Sequence, residues 1–170
     1  MALDAAKMGT ELHGSAPIVE AGIVAGVGGG VLMGIWLMLV TAAGGMGFLA
    51  PLKLIAATFY GQNAMTGGGV VALAGLVLHV IVSLVFGVIF AVLIIRAAPA
   101  IGPSWGSAIL YGAVTWALMT FVVLPVVDPL MRSTVATMPL AWFAAHILYG
   151  VGLAYTPILR RRYRLPHSAS

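Results

Sequence analysis

The sequence predicts an all-α membrane protein with four transmembrane helices, and three observations lead there. Between Glu20 and Arg160 only Lys53, Arg96, Asp128 and Arg132 carry charge, leaving uncharged runs at 21–52, 54–95, 97–127 and 133–159. Each run exceeds the ~20 apolar residues that cross a hydrocarbon layer at 1.5 Å rise per residue. Charged residues make up 7% of the chain, against ~25% in a soluble domain of this size, which could not bury so much apolar surface.

The first 17 residues, with Asp4 and Glu11 against Lys7, lack the positive start of a secretory signal, so the first apolar run reads as a retained span. We expect residues 1–17 to be a cytoplasmic extension and the spans to fall at 18–41, 70–95, 105–127 and 139–159, with a basic cytoplasmic tail at 160–170. His13 and His167 in the polar ends read as solvated.

The segment between the first two spans is too long for a tight turn. Pro51 suits the first turn of a helix, and residues 51–60 are too few to cross, so they predict an interfacial or re-entrant helix. Asp128-Pro129 reads as an N-cap followed by proline, opening a second short helix at 129–137. Arg132 stands four residues after Asp128, and the plain reading of both charges is an ion pair at the outer interface. Between Arg96 and Ser104, Pro99, Gly102 and Pro103 predict a short connection of antiparallel neighbours.

These pieces align as a duplicated two-helix hairpin. Pro51-Leu52-Lys53 follows span one and Pro129-Leu130-Met131-Arg132 follows span three; Leu73-Ala74 precedes His79 as Leu140-Ala141 precedes His146. Such a 2+2 repeat would place its copies about an axis along the membrane normal.

Orientation follows from the cations. Arg160, Arg161, Arg162 and Arg164 follow the last span, and with four spans Lys7 and Arg96 share their side. Both termini are therefore expected in the cytoplasm, with bacterial inner membrane the expected location. The clustered positive charge faces headgroups and does not indicate nucleic acid.

Small residues recur at fourth positions: Gly22, Gly26, Gly30 and Gly34 in span one, Gly75, His79, Ser83 and Gly87 in span two, Gly112 in span three and Gly150 in span four. Inside lipid, close backbone approach along such stripes holds helices together, and these residues are the expected packing surface. Trp36 and Trp116 are expected to fill the bundle, and Trp105 and Trp142 to anchor at interfaces. The methionines read as gap fillers, because they do not cluster in the sequence.

His79 and His146 are the ionisable side chains well inside the expected spans, which makes them the candidate site. Facing each other, they could ligate a b-type haem; in the plainer reading each imidazole bonds a carbonyl or hydroxyl, and no cofactor is bound. Absent cysteine excludes thiolate metal sites. No carboxylate lies at mid-membrane and no nucleophile–base–acid grouping is plausible, so neither coupled transport nor catalysis is expected. The expected role is a non-enzymatic structural or accessory subunit of a larger membrane complex, or a homo-oligomer. The rival readings are a haem-binding electron-transfer subunit and a small-solute or ion pathway along the repeat axis.

Overall fold

A computed structural model describes the backbone of residues 2–97 and 105–164 and the side chains of residues 16–93 and 105–163. The connection expected at 96–104, the chain beyond 164 with His167, and the side chains of Lys7, His13, Arg96 and Arg164 lie outside the described residues.

Every element among the described residues is helical: α1 (Ala2–Ala43), α2 (Ala50–Tyr60), α3 (Asn63–Thr66), α4 (Gly69–Ala97), α5 (Trp105–Leu118), a π-helical turn (Met119–Val123), α6 (Leu124–Val127), α7 (Pro129–Thr137), α8 (Pro139–Leu153) and α9 (Thr156–Arg164). Four stretches are long and apolar enough to cross a membrane: Ala16–Ala43, Gly69–Leu93, Trp105–Val127 and Pro139–Tyr163. The protein is a polytopic membrane protein of four spans. The short helices α2, α3 and α7 lie at one end of the spans, the loop end; the start of α1 and the end of α9 lie at the opposite, terminal end.

Local chemistry sets the breaks. α1 stops where Gly45 takes φ 79°, with Met46 N–H donating to Thr41 O at 2.9 Å and Gly45 N–H to Ala42 O at 3.1 Å. That pattern closes a helix through a left-handed residue, which glycine adopts without a Cβ clash. α1 also runs through Pro17 to its start at Ala2, so the segment expected as an extension continues the first span's helix.

The third span is interrupted by its π turn, in which Leu124 N–H reaches back to Met119 O. Pro125 follows, and its ring would collide with the carbonyl four residues earlier in a regular helix. Widening the preceding turn relieves that collision. The fourth span bends between α8 and α9, where Pro157 cannot donate to Leu153 O; Thr156 Oγ1 donates to it instead at 2.6 Å.

The spans pack as an open row in the order α4, α1, α8, α5. α1 and α8 each have a long neighbour on both sides, whereas α5 packs along its length on α8 alone. Contact between the row's two ends is made by Tyr111, whose hydroxyl donates to Phe86 O at 2.9 Å and whose ring lies 5.0 Å from that of Phe90.

Backbones approach closely where glycines meet. A Cβ on Gly22 would lie 2.9 Å from Ala91 Cβ, and one on Gly26 2.9 Å from Gly87 Cα, so α1 and α4 touch through these positions. Gly112 and Gly150 oppose each other's helices across the α5–α8 contact. Gly75 faces the Leu52 carbonyl and thus seats α2 rather than another span. The α1–α8 contact runs through Gly29 and Gly152. Gly29 is thus a packing position inside a continuous helix.

Candidate functional site

Two packed clusters divide the interior. At the terminal end, Ala25, Phe90, Ala108, Tyr149 and Leu153 form a buried core. At the loop end, Leu37, Leu54, Val135, Trp142 and Ala145 form another. Between α4 and the α5–π segment, where the row does not close, lies a cavity of about 230 Å³.

Its back wall is α1 and α8, through Met33, Leu37, Trp142 and His146. Leu78 and Val82 of α4 face Met119 and Val123 of the π turn across it. Phe86 and Tyr149 close the floor toward the termini, and Phe59, Asp128 and Met131 of the loop-end helices form the roof. The π turn thus lines the cavity directly, a frequent place for such turns.

Both histidines line this cavity, but each is tied to backbone. His79 Nε2 lies 2.9 Å from Gly30 O, bonding α4 to α1. His146 Nδ1 lies 2.9 Å from Trp142 O, one turn back in its own helix. A carbonyl accepts only, so these nitrogens carry the protons and the remaining ring nitrogen of each neutral imidazole carries a lone pair. Residues matched by the sequence alignment thus make different bonds, one between helices and one within.

A haem was weighed against this geometry. The second ring nitrogens have the chemistry of ligands, and the cavity that both rings line measures about 230 Å³. A macrocycle would require the α4–α5 gap to widen. Among the described residues there is also no group of three or more His, Cys, Asp or Glu side chains able to hold a metal ion.

The roof is held by Asp128, which is only 2% exposed. One carboxylate oxygen accepts from Met131 N–H at 2.9 Å, capping α7, and the other accepts from Thr58 Oγ1 of α2 at 3.0 Å. The expected ion pair with Arg132 is not formed: neutral donors occupy the carboxylate and Arg132 is exposed. The Thr58 contact was not legible in the sequence, because the two residues stand 70 apart.

The tryptophans also depart from expectation. Trp142 is 2% exposed and belongs to the loop-end core, while Trp36 is 37% exposed. Trp36 Nε1 donates to Ala141 O at 2.9 Å, pinning α1 to the start of α8. Trp105 is exposed. Three methionines scattered in the sequence, Met33, Met119 and Met131, meet at the cavity.

The chain matches no protein-family model, and comparison with curated proteins and with solved structures finds no match.

Proposed function

We propose that this protein is a non-catalytic membrane subunit that works by lateral association with another membrane protein or with further copies of itself. The observation that supports this reading is the incomplete packing of α5. The span it begins, Trp105–Val127, is the least buried of the four, and Leu110, Val114 and Leu118 of α5 with Phe121 of the π turn leave an apolar stripe uncovered along it. Lipid can cover such a stripe, but supplies no force holding α5 in place; a neighbouring helix would give it the second contact that α1 and α8 already have. In this reading the duplicated hairpin supplies two span–short helix–span units, both termini face the cytoplasm of a bacterial inner membrane, and Arg161 and Arg162 meet its anionic headgroups.

A solute pathway has less support. Phe59, Asp128 and Met131 roof the cavity at the loop end, and the Phe90–Tyr149–Leu153 cluster fills the interior toward the termini. The test is a photocrosslinking residue at position 114 on α5, with position 81 on α4 as the comparison, activated in native membranes. A discrete protein adduct from 114, absent from 81, supports lateral association. Lipid adducts alone from both positions would contradict it.

A further inference from the structure

We infer that the cavity between α4 and the π turn binds a lipid-soluble organic cation, a primary ammonium on a single ring or short chain, with Asp128 as its counter-charge. Most of the donor protons around the cavity are already committed. Each histidine N–H is engaged by a carbonyl, the Tyr149 hydroxyl donates to Ser83 O at 2.6 Å, and the Thr58 hydroxyl donates to Asp128. What these side chains can offer a guest is therefore lone pairs. The Thr115 hydroxyl is engaged with Tyr111, and those of Ser83 and Thr120, also on the wall, can accept as well as donate. The Trp142 indole N–H has no partner, but it is sealed within the wall and presents no surface.

An interior of acceptors is complementary to a donor-rich guest, and the charge at its roof fixes the sign. Asp128 is buried and lines the cavity, yet no cation is paired with it among the described residues. Lys53 Nζ is held by Met65 O at 3.3 Å, and Arg132 is exposed. The start of α7 offsets only about half a charge. An ammonium group beneath the roof would complete the compensation, with charge-assisted hydrogen bonds to the carboxylate.

Size and route agree with this guest. An apolar cavity of ~150 Å³ accepts benzene, so about 230 Å³ holds one ring with a short amine arm. Leu78, Val82, Met119 and Val123 supply apolar walls for the ring. The open side of the helix row faces lipid, so the guest arrives laterally, and a large quaternary cation would not fit.

The test uses the full protein in nanodiscs of zwitterionic lipid, titrated calorimetrically with phenethylammonium and with its neutral isostere 2-phenylethanol, empty nanodiscs subtracted. The ammonium should bind saturably and at least tenfold tighter than the alcohol. Asp128→Asn keeps an effective N-cap, and its amide nitrogen can donate to a rotated Thr58 hydroxyl, so it should erase that preference while leaving alcohol binding within twofold. Val123→Trp should fill the cavity and remove both. Asp4 and Asp128 are the aspartates of this chain, so carboxyl-labelled aspartate gives a second reading without mutation: the Asp128 carboxylate stretch in the infrared should shift on saturation with the ammonium. Equal affinity for the two probes, no saturable ammonium binding, an Asp128→Asn variant unchanged in preference, or an unshifted carboxylate band would each overturn the proposal.

Discussion

The carbonyl oxygen of Ser83 lies 2.6 Å from where a Cβ on Gly26 would stand. A methyl group there would meet backbone of the facing helix, which cannot swing aside as a side-chain tip can. Gly28, two residues on, has nothing within 4 Å of its would-be Cβ. The two glycines share one helix and differ in what they face.

That difference gives a matched pair. Gly26→Ala should destabilise the bundle by ~1–3 kcal/mol through overpacking. Gly28→Ala should be neutral or stabilising by up to ~1 kcal/mol, from helix propensity. Thermal unfolding in one detergent, read by circular dichroism, compares them. Equal effects in the two variants would show that the α1–α4 contact is not held by glycine.

Thr58 and Asp128 make the bond that joins α2 to α7. Thr58→Val preserves shape and removes the donor, and should cost about 1.5–3 kcal/mol, the range for hydrogen bonds to charged groups. Asp128→Ala should cost more, because it loses the cap as well, while Asp128→Asn should stay close to wild type. Ranking the three by urea or thermal denaturation checks the assignment; a Thr58→Val protein as stable as wild type would remove the bridge from the account.

Tyr149 and Tyr111 tether α4 through the carbonyls of Ser83 and Phe86, at 2.6 and 2.9 Å. Each Tyr→Phe change should cost roughly 0.6 kcal/mol and no more than about 1.7, as for other interhelical bonds in membranes. Tyr111→Phe should also loosen the join between the row's ends, seen as faster amide exchange in the 86–90 stretch of α4. Exchange slowed or unchanged there would argue that α4 is held elsewhere.

Trp142 and Trp105 reverse the usual equivalence of membrane tryptophans. Trp142→Ala should cost about 3–5 kcal/mol as a core truncation, whereas Trp105→Ala, at an exposed helix start, should cost well under 1 kcal/mol. Midpoints of detergent denaturation decide between them. Similar losses would place both residues in the same kind of environment.

The pattern of what the sequence disclosed follows from range. Charge spacing marked the four spans because the cost of a buried charge acts locally along each run. The Asp128–Pro129 cap was legible for the same reason: its partner, Met131, is three residues away. The one-turn helix Asn63–Thr66 carries no periodicity to read, and the π turn leaves only Pro125 as its trace. Facing was the hidden quantity. A span that is apolar all round does not show which side meets protein, so Trp142 and Trp36 could not be told apart. Gly29 and Gly152, which serve the second face of α1, lay off the fourth-position stripe. The cavity belongs to the order of helices in the row, which no local pattern encodes. The histidines were found through the cost of polar groups in lipid, but the partner of His79, the Gly30 carbonyl of another helix, depends on packing.

The central claim is that four helices cross lipid and leave the loop end and the termini on opposite sides. A chain without cysteine allows each position to be probed by one introduced thiol against no background. Tyr60→Cys, Val114→Cys and Tyr163→Cys, treated with a membrane-impermeant maleimide in sealed right-side-out and inverted vesicles, form the decisive set. The account requires position 60 to label from one side only, position 163 from the other only, and position 114 from neither. Labelling of 60 and 163 from the same side, or of 114 in intact vesicles, would contradict it.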